Sequence, residues 1–248
     1  MFYTIFTAPV RAVTLVAISA ALAGCSSGGG GAGGGGGGGG AGLTFAEYDA
    51  LYDRYTNPSD IGNAPTSDMP TGGSATYTGT VSTELRESST DTKLADVLGD
   101  VNLNVAFSDD TSEGSSTSVV TGYVNNVRGV NADDGSEFAY DIELRTDDDT
   151  ASTAGGGTLM TNQSTISVPT VGDVTTRTGS LMVNLSGEIN DTNAPDSDVR
   201  GTALMVLGGS CFGPECARSV GTASLVIDDD ALPGLINYNG SGTYVVER

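Results

Sequence analysis

The stretch Gly99-Asp-Val-Asn-Leu-Asn-Val-Ala-Phe107 sets Val101, Leu103, Val105 and Phe107 against Asn102, Asn104 and Ala106 in strict alternation. A period of two belongs to a strand with one buried and one wet face; a helix would repeat its apolar residues every three or four. The same pattern recurs on both sides of this stretch. Upstream, Tyr77, Gly79 and Val81 alternate with Thr76, Thr78 and Thr80. Downstream, Phe138, Tyr140, Ile142 and Leu144 alternate with polar or small residues, as do Leu181, Val183 and Leu185, then Ala203, Met205 and Leu207, then Leu225 and Ile227. With 117–128, 156–167 and the terminal Thr243–Arg248, eight or nine strands are expected. Turn-type clusters separate them at Asp109–Gly114, Asn131–Gly135, Asp147–Asp149 and Asp191–Pro195. Short, regularly spaced strands with such turns mean antiparallel sheet, closed as a barrel or stacked as a sandwich.

The choice falls on an all-β fold, a single eight-stranded antiparallel soluble barrel. A transmembrane barrel would need an outward apolar band and aromatic girdles. Here aromatics make up only 6% of the residues, and many alternate positions are Thr, Ser, Asn or Gly. The chain has 248 residues, with 31 acidic against 10 basic side chains, a formal net charge of −21 and no histidine. That charge excludes nucleic acid as a partner, because phosphates would repel it. It fits a solvated acidic surface.

Ahead of the strands, Thr44-Phe-Ala-Glu47 matches a capping box, and Phe45, Tyr48, Leu51, Tyr52 and Tyr55 follow at helical spacing. A short amphipathic helix over 44–55 is expected, its aromatic stripe docking on the domain. Asn57-Pro58 ends it, and 57–73 reads as loop.

Residues 12–24 are apolar, follow Arg11, and are too short to span a bilayer comfortably. They end in Leu22-Ala-Gly-Cys25, which resembles a bacterial lipobox, and this resemblance implies lipidation of Cys25. Ser26, where an aspartate would signal inner-membrane retention, points to the outer membrane. The glycine-rich run after Cys25 has no side chains to bury and loses much backbone entropy on ordering. It reads as a tether with a reach of about 20–25 Å. The expected organisation is a lipoprotein signal peptide (1–24), lipidated Cys25 and tether (25–42), helix and loop (43–73) and barrel (74–248).

Candidate chemistry is sparse. Cys211-Phe-Gly-Pro-Glu-Cys216 lacks the two-residue gap of thioredoxin-type centres and is read as a disulfide closing a tight turn at Gly213-Pro214. Such tips often touch partners, so Phe212, Gly213, Pro214 and Arg218 are candidate ligand or partner residues. Asn131–Glu137 and Asp228–Asp230 cluster acids without the EF-hand spacing and read as ordinary acidic turns. Without histidine there is no Ser-His-Asp or Cys-His arrangement. A Ser-Lys pair would need Lys93, the sole lysine, but Thr90 stands three residues before it where the serine should be. An enzyme is not expected, and neither a metal site nor a cofactor is assigned. Tyrosine ligation of haem by Tyr48, Tyr77, Tyr123 or Tyr140 stays open.

Gly73-Ser-Ala-Thr-Tyr-Thr-Gly79, Gly99–Phe107 followed by Val120-Thr-Gly-Tyr-Val-Asn125, and Phe212-Gly-Pro214 with Val220-Gly221 resemble the barrel domains of transferrin-binding protein B and related surface lipoproteins. The family motif continues with Ala and Glu before paired glycines, whereas Glu215, Cys216 and Arg218 stand here, and this chain has room for one barrel rather than two lobes. The resemblance implies an outer-membrane or cell-surface lipoprotein that captures a solute or a secreted or host protein for a partner such as a TonB-dependent receptor. A structural or adhesive lipoprotein without a small ligand is the alternative.

Overall fold

The computed structural model describes residues 42–57, 63–88, 90–108, 114–140, 142–146, 156–189, 201–229 and 236–248. The signal segment, Cys25 and the glycine tract lie outside the described residues, as do the turns at 109–113, 147–155 and 190–200. One helix, α1 (Phe45–Thr56), precedes the strands β1 (Ser74–Glu87), β2 (Lys93–Ala106), β3 (Ser115–Asn131), β4 (Glu137–Tyr140), β5 (Leu144–Arg145), β6 (Gly157–Val168), β7 (Gly172–Ile189), β8 (Gly201–Phe212), β9 (Arg218–Asp229) and β10 (Ile236–Glu247).

Eight of these strands close into an antiparallel ring in the order β1-β2-β3-β6-β7-β8-β9-β10, and β10 pairs back onto β1 from Thr78↔Glu247 to Glu87↔Tyr238. Closure removes the free edges that would otherwise invite pairing with other chains. The alternation read from the sequence sets the faces. Val101, Leu103 and Val105 of β2 point into the core with Tyr77, Val183, Leu185, Leu207 and Val246, while Asn104 and Ala106 are exposed. Outward positions elsewhere are mainly Thr, Ser and Asn. An apolar interior within a polar exterior is the reverse of a water-filled membrane barrel.

The run Phe138–Leu144, read as one strand, forms two. Tyr140 pairs with Val127 and Leu144 with Val124, so this chain advances four residues while β3 moves three. The discontinuity lies opposite Asn126, a non-glycine residue with φ +50°, where the β2–β3 register also shifts. A bulge of this kind bends a strand and ends regular pairing. As a result β3 has two neighbours on one side: β6 along 115–120, and β4 and β5 along 123–130.

α1 carries the expected capping box: the Thr44 side chain accepts from the Glu47 backbone N–H, and Glu47 accepts from the Thr44 N–H at 2.9 Å. Its aromatic stripe lies against the outside of the ring, where Tyr48 and Tyr55 are buried with Leu98, Val220 and Val245. The Tyr48 and Thr243 hydroxyls are 2.8 Å apart, and the Tyr55 hydroxyl donates to Glu247. Just before α1, the buried Asp100 carboxylate accepts from the Gly42 N–H (3.0 Å), Asn126 Nδ2 (3.0 Å) and Arg128 (2.9 Å). Arg128 also donates to the Leu43 carbonyl. The chain entering the helix is thus clamped to the bulge.

Candidate ligand-binding site

The two ends of the ring differ in how well their interiors are filled. At the end holding the start of β1 and the end of β2, the core is packed by Tyr77, Leu103, Val105, Leu159, Leu181 and Tyr244. Met69, 1% exposed, closes this end from the 63–73 segment, held by Met69 N–H to Arg177 C=O (3.2 Å) and Thr66 N–H to Cys211 C=O (3.0 Å). Gly179 makes room for it: a Cβ there would stand 2.6 Å from the Met69 sulfur and 2.9 Å from Cys211 Sγ. Tyr77 donates its hydroxyl to the Cys216 carbonyl at 2.7 Å, and burial pushes its pKa up to about 12. Tyr244 shares a 2.9 Å hydrogen bond with Ser219, and burial raises its pKa further still.

The opposite end is hollow. A cavity of about 200 Å³ lies among inward residues of β1, β2, β8, β9 and the β4–β5 segment, including Val81, Met205, Leu225, Ile227, Phe138 and Leu144. Two causes are visible. Small residues (Ala95, Gly99 and Ala203) occupy inward positions where the other end carries Leu or Tyr. In addition, the wall between β3 and β7 is made here by the four-residue β4 and the two-residue β5 instead of a long strand. Among the described residues β4 pairs only with β3. Its Phe138 lies over Gly129, where a Cβ would come within 2.4 Å of the ring; glycine there lets the aromatic reach the cavity.

Among the described residues no charged side chain lines the cavity. Its polar contributors are Thr83, Asn131 and Tyr238, and Asn131 donates to the Ser136 hydroxyl at 2.8 Å. Charges sit outside the rim in a compensated network. Lys93 bridges Glu84 (3.2 Å) and Asp96 (2.8 Å), while Arg86 pairs with Glu84. Hydrogen bonds from Arg86 and Lys93 hold the Glu84 carboxyl below its ordinary pKa, and Asp96 and Glu84 raise that of Lys93. The cavity favours an uncharged apolar guest, since burying a charge without a partner is costly.

The candidate residues around the cysteines lie elsewhere. Cys211 and Cys216 are disulfide-bonded at the packed end, and both are buried. Phe212 packs against the α1 cluster, and the Arg218 guanidinium sits 4.5 Å from the centre of the Tyr55 ring. Gly213 donates to the Ala64 carbonyl and accepts from Thr66. Only Pro214 and Glu215 of this turn are well exposed. These residues fasten the 63–70 segment and the helix to the ring; they do not converge on one pocket.

Three of the four tyrosines are likewise not gathered: Tyr48 of α1 is buried against the outside of the ring, Tyr77 faces Cys216, and Tyr123 packs near Arg145, its ring centre 5.6 Å from the guanidinium. The Tyr140 side chain lies outside the described residues. The Asn131–Glu137 turn is closed by its own bonds, with Asp134 accepting from the Ser136 N–H and lowered in pKa by Ser136. Among the described residues no three His, Cys, Asp or Glu side chains gather at metal-binding range.

The strings that resemble transferrin-binding protein B fall on β1, β2, β3, the disulfide turn and β9. No protein-family model matches the chain, and no curated protein sequence matches it.

Proposed function

We propose that this chain is an exported bacterial outer-membrane lipoprotein, anchored through Cys25, whose barrel binds a small, uncharged, apolar molecule in the hollow end of the ring. The observation that carries the reading is the contrast within one interior: one half filled by Tyr77, Leu103, Leu159, Leu181 and Tyr244, the other left with a part-open apolar pocket of about 200 Å³. Protein cores of this size seldom keep such a space, and a dry apolar cavity of about 150 Å³ is enough to admit benzene. On that scale a 200 Å³ cavity holds about eight carbon atoms. The net charge of −21 adds a field that repels anionic ligands. The anchor rests on the apolar run ending in Leu22-Ala-Gly-Cys25. The resemblance to transferrin-binding protein B supports capture for a membrane partner such as a TonB-dependent receptor, with the bound solute as the cargo.

The test is calorimetric titration of the full chain with a series of n-alkanols of increasing length. Each buried methylene contributes about 0.8 kcal/mol, so affinity should rise about fourfold per carbon and level off near eight carbons, at one ligand per chain. Affinity that is flat along the series would contradict the cavity reading and favour a structural or adhesive lipoprotein. Metabolic labelling with a radioactive fatty acid, lost on Cys25→Ser, tests the anchor separately.

A further inference from the structure

One side chain in the hollow end departs from its neighbours. Along β1 the inward residues at this end are Val81, Thr83 and Leu85, and all three line the cavity. Thr83 is 3% exposed, yet among the described residues its hydroxyl has no hydrogen-bond partner. Buried polar groups nearly always have one, and leaving one unpaired is costly. Nor is this hydroxyl sealed in: among the described residues, the partnerless buried side-chain atom with no accessible surface is Arg218 Nε, at the packed end of the ring. The accessible surface of the Thr83 oxygen therefore opens into the cavity that the residue lines. Glycine keeps the adjoining wall low. Gly242 is the β10 partner of Thr83, and a Cβ on Gly240 would stand 3.5 Å from the Thr83 Cβ. The other two polar residues of the lining are engaged, Asn131 with Ser136 and Tyr238 with a partner of its own.

We propose that the Thr83 hydroxyl is the polar contact of this site, and that its guest is a neutral hydrocarbon carrying one oxygen, as an alcohol, aldehyde or ketone. The inference rests on the cavity reading above and narrows its ligand class. A threonine hydroxyl donates or accepts by rotating, so either a hydroxyl or a carbonyl oxygen completes it. A water in such a space needs about two to four polar partners, and Thr83 supplies one. A carboxylate or an ammonium would need more than one neutral hydroxyl to offset its desolvation. Position adds to this. Thr83 stands between Val81, towards the packed half, and Leu85, towards the rim, which leaves Val81, Val124, Met205 and Leu225 to cover the hydrocarbon. A guest without the oxygen leaves Thr83 buried and unpaired, and a site built on that hydrogen bond disfavours it for this reason.

Calorimetric titration of the full chain and of its Thr83→Val and Thr83→Ser variants, with benzyl alcohol and with ethylbenzene of matching size, tests it. Thr83→Val keeps the shape and removes one neutral hydrogen bond, so benzyl alcohol should bind about fivefold more weakly. Ethylbenzene should bind the valine variant as tightly as the native chain or more so. Thr83→Ser keeps the hydroxyl and should retain the native ratio of the two affinities. Thr83→Val should also raise the urea midpoint of the ligand-free chain, because the unpaired buried hydroxyl is gone. Equal losses for both guests, or benzyl alcohol bound undiminished by the valine variant, would overturn the proposal while leaving the cavity reading in place. A native chain that binds neither guest would overturn the cavity reading and this proposal with it.

Discussion

Replacing Ala203 with leucine tests whether the hollow end is a real void. Ala203 is 2% exposed and lines the cavity from β8, beside Ile227 of β9. Residual cavities cost about 24 cal/mol per Å³ in proteins whose cores have been emptied by mutation. Leucine adds three carbons, each contributing about 0.8 kcal/mol when buried, so Ala203→Leu should stabilise the ligand-free protein by about 2 kcal/mol. For a domain of this size that corresponds to a rise in Tm of about 4–8 °C by differential scanning calorimetry. The same substitution removes space for about three carbons, and octanol affinity should fall at least tenfold. The two effects must move in opposite directions. If Ala203→Leu instead lowers stability by about 1–3 kcal/mol, as overpacking of a filled core does, the reasoning is refuted.

Other consequences can be checked directly. Tyr77→Phe leaves the Cys216 carbonyl without its buried partner and should cost about 1–2 kcal/mol in urea unfolding, with ligand affinity unchanged because the site is at the other end. Reducing Cys211–Cys216, which closes a ring of only a few residues, should cost about 2 kcal/mol by the chain-entropy estimate. Tyr48, Tyr77 and Tyr244 all have pKa values raised by burial, so the folded state holds protons that the unfolded chain loses above about pH 10. Stability from these groups is complete below that pH and declines above it, and absorbance at 295 nm should show the three phenols ionising only as the chain unfolds. Glu47, held below its ordinary 4.5 by Thr44, contributes in the opposite sense. Its stabilisation of α1 is present above that value and lost as pH falls through the depressed one, which amide exchange in α1 at acid pH would detect.

The strands were legible because one face of each is buried: Val101, Leu103 and Val105 announce their direction whatever their neighbours are. α1 was legible for a local reason, since a capping box followed by Tyr48, Leu51, Tyr52 and Tyr55 needs no tertiary information. The Cys211–Cys216 bridge follows from two thiols five residues apart, but its role does not. Only the hydrogen bonds of Gly213 with Ala64 and Thr66 reveal that the turn is tied down. The break in Phe138–Leu144 was hidden because its cause lies across the sheet at Asn126. The cavity was hidden for a similar reason. Ala95 and Gly99 of β2 and Ala203 of β8 are unremarkable small residues, and only the register gathers them at one end of the ring.

Methyl-resolved NMR of the full chain during titration with octanol tests the central claim most directly. The account predicts saturable shifts confined to Val81, Met205, Leu225 and Ile227 at the hollow end, with Leu103, Leu159 and Leu181 at the packed end unmoved. Shifts confined to the exposed Met160 and Met182, or no saturable shift at any methyl, would contradict it.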